Sequence, residues 1–293
     1  MSKFIGAALF FITIAAAFAS DQNVTENASD PKDASKSQPA AQTAAIQSGE
    51  NNQTQSQDPA QSDQKPSNFR YSLGFGAANI PYFDVGGSTK IRAIPYGDLR
   101  CKAFFLSPAK GMGFDLPLAK NLIFSPALSY RSKRKEDDDK SLNGMGDIDS
   151  DYTYGAHLAY INPHIILGAK GFNGGDGGAT YDFSATFPFR LAETLALALS
   201  LSPQYADGVY NRRYFGVNKE QSARSGYPEY YPEGGWIDFS GSAFLSYKIT
   251  KHFSLNIFAR RKVFIGEAAD SPLVKRNGEK QDTFGLVFIY NSR

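Results

Sequence analysis

Residues 179–189 read Ala-Thr-Tyr-Asp-Phe-Ser-Ala-Thr-Phe-Pro-Phe. Tyr181, Phe183, Phe187 and Phe189 fall on one parity, and Thr180, Asp182, Ser184 and Thr186 on the other. A strand sends successive side chains to opposite faces, so this segment has an aromatic side and a polar side. The pattern returns at Leu195, Leu197, Leu199 and Leu201, alternating with Ala196, Ala198, Ser200 and Ser202. It returns again at Ile237, Phe239, Ala243, Leu245, Tyr247 and Ile249, alternating with Asp238, Ser240, Ser242, Ser246 and Lys248.

Working outward, alternating segments are expected at about 70-80, 90-97, 98-107, 109-118, 121-131, 151-161, 164-170, 179-189, 194-205, 236-249, 253-264 and 281-290. Tight connections are expected at Gly97-Asp98, Ala119 to Asn121, Asn162-Pro163, Arg190 to Glu193 and Thr250-Lys251. The long stretches 131-150, 171-178, 206-235 and 265-280 fall on alternate connections. That sorting, with an even strand count, is the habit of outer-membrane barrels, which have short periplasmic turns and long outside loops. Leu73, Phe75, Met112, Phe114, Leu116, Phe124, Leu128, Tyr130, Tyr152, Tyr154, Leu158, Tyr160, Leu255 and Ile257 extend the apolar face without a charge. Asp115, Arg131, His157, Asp182, Asp238, Lys248 and Arg260 take the other face. An Arg or Lys on the lipid side at mid-bilayer costs roughly 2–4 kcal/mol, so the segregation has energetic meaning. A soluble sandwich would alternate as well, with its apolar face inward.

The ends of the chain agree with export. Met-Ser-Lys precedes an apolar run from Phe4 to Ala19, and Ala17-Phe18-Ala19 before Ser20 fits a signal peptidase site between Ala19 and Ser20. Residues 20–68 are rich in Gln, Ser, Asn, Asp, Ala and Pro, and are expected to form a disordered periplasmic arm. Residues 69–293 then form the barrel. No later stretch approaches the roughly 18 apolar residues of a membrane helix. The fold expected is therefore all-β: a transmembrane, antiparallel, up-and-down β-barrel of about 12 strands.

Composition excludes several classes. Cys101 is the only cysteine, which rules out an internal disulfide and a four-cysteine zinc site. Lys+Arg 31 against Asp+Glu 29 gives a nucleic-acid partner no electrostatic support. Tyr 16 and Phe 23 suit rings placed at membrane boundaries. His157 with Ser125 or Ser129 admits a Ser-His pair, with polar lumen lining as the plainer reading. The run Lys133 to Lys140 reads as a solvated loop, with a divalent ion or lipopolysaccharide phosphate as the alternative. Gly174, Gly175, Gly177 and Gly178 permit a tight loop; a phosphate loop is rejected for want of a Lys-Ser/Thr ending.

The last strand, Thr283 to Tyr290, has the polar-x-Gly-x-x-aromatic-x-aromatic layout of a barrel-assembly signal, carried by Gly285, Phe288 and Tyr290. Two loop segments carry a resemblance. Tyr214-Phe215-Gly216-Val217 with Gln221-Ser222-Ala223-Arg224-Ser225-Gly226 resembles the long-loop motif of the MltA-interacting protein (MipA)/OmpV family. Ala269-Asp270-Ser271-Pro272-Leu273-Val274 resembles that family's last-loop motif. Tyr205 to Asp207, Arg131 and Gly144 to Asp149 also fit.

The resemblance implies an outer-membrane protein with no enzymatic activity and no cofactor. It implies a scaffold that links a lytic transglycosylase to a penicillin-binding protein in peptidoglycan synthesis. A porin-like channel, or an adhesin acting through 206-235, remain alternatives. Outer-membrane lipids and lipopolysaccharide are the surroundings expected of such a barrel. Tyr214, Phe215, Gly216, Arg224, Gly226, Asp270, Ser271 and Pro272 are candidates for loop packing or partner contact. Arg224 and Asp270 are expected to pin two loops together by charge-assisted bonds, with Gly216 and Gly226 as permissive turns and Pro272 stiffening the last loop.

Overall fold

In the computed structural model, residues 69–81 and 89–292 are described. The signal peptide with its Ala19–Ser20 cleavage point, and the 20–68 arm, lie outside the described residues. The strands are β1 (Phe69–Pro81), β2 (Thr89–Cys101), β3 (Phe104–Ser107), β4 (Gly111–Phe114), β5 (Leu116–Ala119), β6 (Leu122–Arg131) and β7 (Asp151–Ile161). They continue with β8 (Ile166–Asn173), β9 (Ala179–Ala192), β10 (Leu195–Ala206), β11 (Gly235–Lys248), β12 (Phe253–Phe264) and β13 (Lys280–Asn291).

Consecutive strands pair antiparallel, except β4 with β5; β1 pairs β13, and a β4–β6 pairing closes the ring. β4 and β5 are two halves of one wall position, since both pair with β6. Twelve positions therefore make the wall. The ladder lapses at Phe114 and Asp115, opposite Pro126, which has no N–H to contribute.

The wall's orientation follows from exposure. Phe75, Tyr152, Tyr154, Leu128, Phe114, Phe183, Phe187, Leu199 and Phe239 all stand exposed on the outside. Their neighbours of opposite parity, among them Ser125, Thr186, Ser200, Ser240 and Ser254, are buried within. A soluble sandwich would show the reverse. Closure leaves no free sheet edge along the β1–β13 seam, as a hydrocarbon surround requires. The periplasmic end of β12 and β13 carries an aromatic belt. Phe288 stacks on Phe253 with ring centroids 5.4 Å apart, and Tyr290 stacks on His252 at 5.9 Å.

Three expectations need correction. No turn forms at Gly97-Asp98: β2 runs straight through these residues, and the chain reverses at Lys102-Ala103, where Lys102 takes φ 53°. Asp98 sits on the inner parity and its carboxylate accepts from Arg100, so it behaves as a strand residue. Ile237 is not on the outer face. The register slips between Gln204 and Tyr205, so that Trp236 rather than Ile237 matches Tyr205, and Ile237 turns inward to 1% exposure. This is a β-bulge redirecting one side chain.

The inner face is also less polar than its alternation suggested. Ala78, Ile80, Ile94, Tyr96, Ala198, Phe244, Phe258, Val287 and Ile289 form an apolar core inside the barrel, along β1, β2 and β10 to β13. Gly285 faces this core, and a Cβ there would lie 2.5 Å from Ala78 Cβ and 2.7 Å from Phe258 Cζ.

Candidate functional site

The rest of the interior is a network of charges. Asp115 accepts from Lys110 Nζ at 2.6 Å, from Ser125 Oγ at 2.6 Å and from Arg100 Nη1 at 3.3 Å. Lys170 faces Asp182 at 3.6 Å, and Gln204 Nε2 donates to the same carboxylate at 3.4 Å. Asp238, almost wholly buried, lies between Arg260 at 3.9 Å and Lys262 at 3.5 Å. Ser240 Oγ donates to Asp238 and receives Arg260 Nη2 at 2.6 Å. Buried charges of this kind persist only when paired and hydrogen-bonded. With the apolar core beside it, this network lines the inner wall with paired charges.

Ser125 and His157 are direct cross-strand partners in the β6–β7 register. They do not form the Ser-His pair that composition allowed. The Ser125 hydroxyl goes to Asp115, and His157 Nε2 lies 3.1 Å from the Lys110 carbonyl, with its ring edge-on to Phe172.

The outer mouth is covered by a cap built from three loops. Four short helices belong to it: α1 (Gly208–Phe215), α2 (Lys219–Ser225), α3 (Gly266–Asp270) and α4 (Pro272–Asn277). The caps on these helices are local and legible. Asp207 accepts from Tyr210 N at the start of α1. Asn218 and Gln221 exchange a reciprocal capping box at α2. Ser271 caps α4, whose first residue is Pro272. Gly226 ends α2 in the left-handed conformation, φ 78°.

The helices and loops bury a core of their own: Leu142, Met145, Ile148, Ala206, Tyr210, Tyr214, Phe215, Val217, Tyr227, Ile237, Phe264, Ala268, Leu273 and Val274. Tyr210 and Tyr214 stack at 4.4 Å, and Arg131 sits over the Tyr210 ring at 4.9 Å.

The loops are joined by side chains reaching backbone carbonyls. Ser271 Oγ donates to Phe215 O at 2.7 Å, Arg134 Nη1 to Tyr214 O at 3.0 Å, Gln221 Nε2 to Met145 O at 2.7 Å and Tyr227 OH to Ser141 O at 2.9 Å. Tyr230 OH reaches Glu267 O at 2.8 Å and its carboxylate at 3.0 Å. Burial, and secondly this carboxylate, push the Tyr230 phenol above its ordinary range.

The expected Arg224–Asp270 pin is absent among the described residues. Asp270 pairs with Lys275 of its own loop at 3.0 Å, with both groups exposed. Arg224 is also exposed, and its backbone packs against Gly144. An exposed ion pair contributes little, and the buried hydrogen bonds hold the loops instead.

The other candidates are placed as follows. Tyr214, Phe215 and Ser271 are buried in the cap, and Gly216 lies against the Arg212 carbonyl, where no Cβ fits. The run Lys133 to Lys140 is not wholly solvated, since Arg134 is buried at 5% exposure. Glu136 in the same run accepts from the backbone N–H of Gly144 and Gly146. Gly178 takes φ 72° beside Tyr210, and Gly177 O receives Arg131. Sequence reasoning missed Arg134 and Tyr227. The only signal for them was an aromatic or cation beside otherwise polar loop residues. An open groove of about 680 Å³ runs between the long loop and the last, lined by Tyr227, Tyr230, Glu267, Asp270 and Arg276 among others.

Comparison with known proteins sets this barrel in context. It is 25% identical over 214 residues to YiaT, an outer membrane protein by name, of Escherichia coli strain K12; the match covers 70% of this chain and 85% of that one. The protein of the same name from Escherichia coli O157:H7 matches equally. Among solved structures, the NanC porin aligns with 7% identity, a TM-score of 0.37, and coverage of 77% of this chain and 100% of that one. A bacterial polysaccharide outer membrane secretin aligns with 7% identity, a TM-score of 0.40, and coverage of 77% and 98%. The apolar outer wall and the relatives together place the protein in the outer membrane. The family described as MltA-interacting protein MipA matches residues 73–291, which is the barrel with all its loops, and the chain belongs to that family.

Proposed function

We propose that this protein is a non-catalytic scaffold of the outer membrane that holds peptidoglycan-remodelling enzymes, a lytic transglycosylase and a penicillin-binding protein, at its periplasmic end. The family's name records an interaction with MltA. The observation that carries the reading here is the capped barrel with an apolar core on its inner wall. Buried Phe258 and Asp238 on the inner wall, under a cap with its own apolar core, support anchoring over conduction. The commitment of Ser125 to Asp115 supports a non-catalytic role. Outer-membrane lipids meet the aromatic wall, and lipopolysaccharide surrounds the outer rim.

Affinity purification from detergent-solubilised, lysozyme-digested envelopes tests the reading. Recovery of either enzyme class supports it, and recovery of neither, with active enzyme controls, contradicts it. Planar-bilayer recording addresses the channel alternative: the intact protein should give no steady conductance steps.

A further inference from the structure

Among the described residues, the turn end is cationic and the outer loops are mildly acidic. The outer loops 132–150, 174–178, 207–234 and 265–279 hold more carboxylates than cations. Among the described residues, the turn end holds unpaired Arg70, Lys102, Lys120, Arg190, Lys248 and Lys251, against the carboxylate of Glu193. All six cations are exposed, and none forms an ion pair among the described residues. They come from β1, the β2–β3 turn, the β5–β6 turn, β9, β11 and the β11–β12 turn, so they are spread around the rim.

The ordinary use of such residues is to anchor a barrel in lipid headgroups. Two observations argue against it here. Anchoring cations belong at both membrane boundaries, and the outer end has no such excess. Arg70, Arg190 and Lys248 also lie on the inner parity of their strands: Arg70 shares its parity with buried Ala78, Arg190 with buried Thr186, and Lys248 is the cross-strand partner of buried Ser254. Their side chains turn to the mouth of the barrel and away from lipid.

From this arrangement we infer that the periplasmic rim is a contact surface for a carboxylate-bearing polyanion, the peptidoglycan meshwork itself. A shaped protein partner is the weaker fit. Protein interfaces are enriched in Tyr, Trp and Arg and depleted in Lys, with a buried aromatic centre. The rim offers four lysines and two arginines. Mobile point charges of one sign suit a repeating array of carboxylates, where many weak contacts sum. The inference stands apart from the scaffold reading, since it requires no enzyme.

The test uses the purified full-length chain in detergent micelles and isolated, enzyme-free sacculi. The protein should co-sediment with sacculi and be released between 0.1 M and 1 M salt, as the screening length falls from about 10 to 3 Å. Lys102→Gln, Lys120→Gln, Lys248→Gln and Lys251→Gln combined should cut the bound fraction about tenfold while the barrel keeps its heat-modifiable migration. Should that variant fail to fold, wild-type protein with sacculi whose carboxylates have been amidated gives the same answer, with binding expected to vanish.

Salt-insensitive binding, unchanged binding to amidated sacculi, or no binding at all would overturn the inference. So would a variant that binds sacculi normally and loses only its affinity for vesicles containing phosphatidylglycerol, which is the lipid-anchor outcome. Failure to recover enzymes from lysozyme-digested envelopes would count against the scaffold and leave this result untouched.

Discussion

The hydroxyl of Ser271 donates to the backbone carbonyl of Phe215 at 2.7 Å, with both residues buried, and so ties the last loop to the long one. The same oxygen accepts from Leu273 N to start α4. Ser271→Ala removes both bonds and leaves the Phe215 carbonyl buried without this donor, a cost of about 1–3 kcal/mol. The loss falls on the cap and not on the wall. Protease treatment of intact cells should therefore cut within 207–234 or 265–279 in the variant and not in the parent, while the barrel still shifts on heating in gels.

Gly285 makes a different demand. Its missing Cβ leaves room for the Ala78 methyl and the Phe258 ring at the β1–β13 closure. Gly285→Val inserts bulk into a packed interior, and overpacking of that kind costs about 1–3 kcal/mol. Because the strain falls on the seam, the expected outcome is a reduced yield of folded barrel in membranes, read by heat-modifiability. Phe284→Leu, on the outer face of the same strand, should assemble at near-parental levels.

The outward face can be probed by one charge. Leu199 lies mid-strand in β10, exposed on the lipid side, and Thr194 lies in the turn below it. Leu199→Arg should destabilise the barrel by about 2–4 kcal/mol, and Thr194→Arg by less than about 1 kcal/mol, since the cost falls off toward the interface. Equilibrium urea unfolding in lipid vesicles measures both.

Tyr230 gives the cap a signature at high pH. Its folded pKa is raised, first by burial and then by the hydrogen bond to Glu267. A raised folded pKa means the stabilising contribution is complete below the unfolded phenol pKa and is lost only as pH climbs through the raised folded value. The cap should therefore keep its protease resistance through the range where exposed tyrosines ionise. The difference in ultraviolet titration between the parent and Tyr230→Phe should show a phenol that ionises above the ordinary tyrosine range.

The alternation of Phe183, Phe187, Leu199 and Phe239 made the wall legible, because a two-residue period needs no tertiary information. Long loops on alternate connections made the topology legible. Ile237 and Phe244 were not, since a bulge at Tyr205 and an apolar half-lumen depend on contacts between distant strands. The loop motifs at Tyr214 to Gly226 and Ala269 to Val274 lie in the cap, and the bonds that join the loops were misread. Charge complementarity between Arg224 and Asp270 is visible in a sequence. A serine hydroxyl meeting a backbone carbonyl is not, since every residue has a carbonyl. The Gly97-Asp98 turn was misplaced because glycine is also tolerated inside a strand, and Lys102 gives no turn signal.

The central claim is that this barrel works through its periplasmic end while the outer cap is structural. Photo-crosslinking in living cells tests it, with a photoreactive residue placed at Asn121 or Thr194 in the turns and at Val209 or Tyr231 in the cap. Adducts with a lytic transglycosylase or penicillin-binding protein are expected from the turn positions alone. Adducts to those enzymes from the cap positions, or none from the turns in cells where both enzymes are present, would contradict the account.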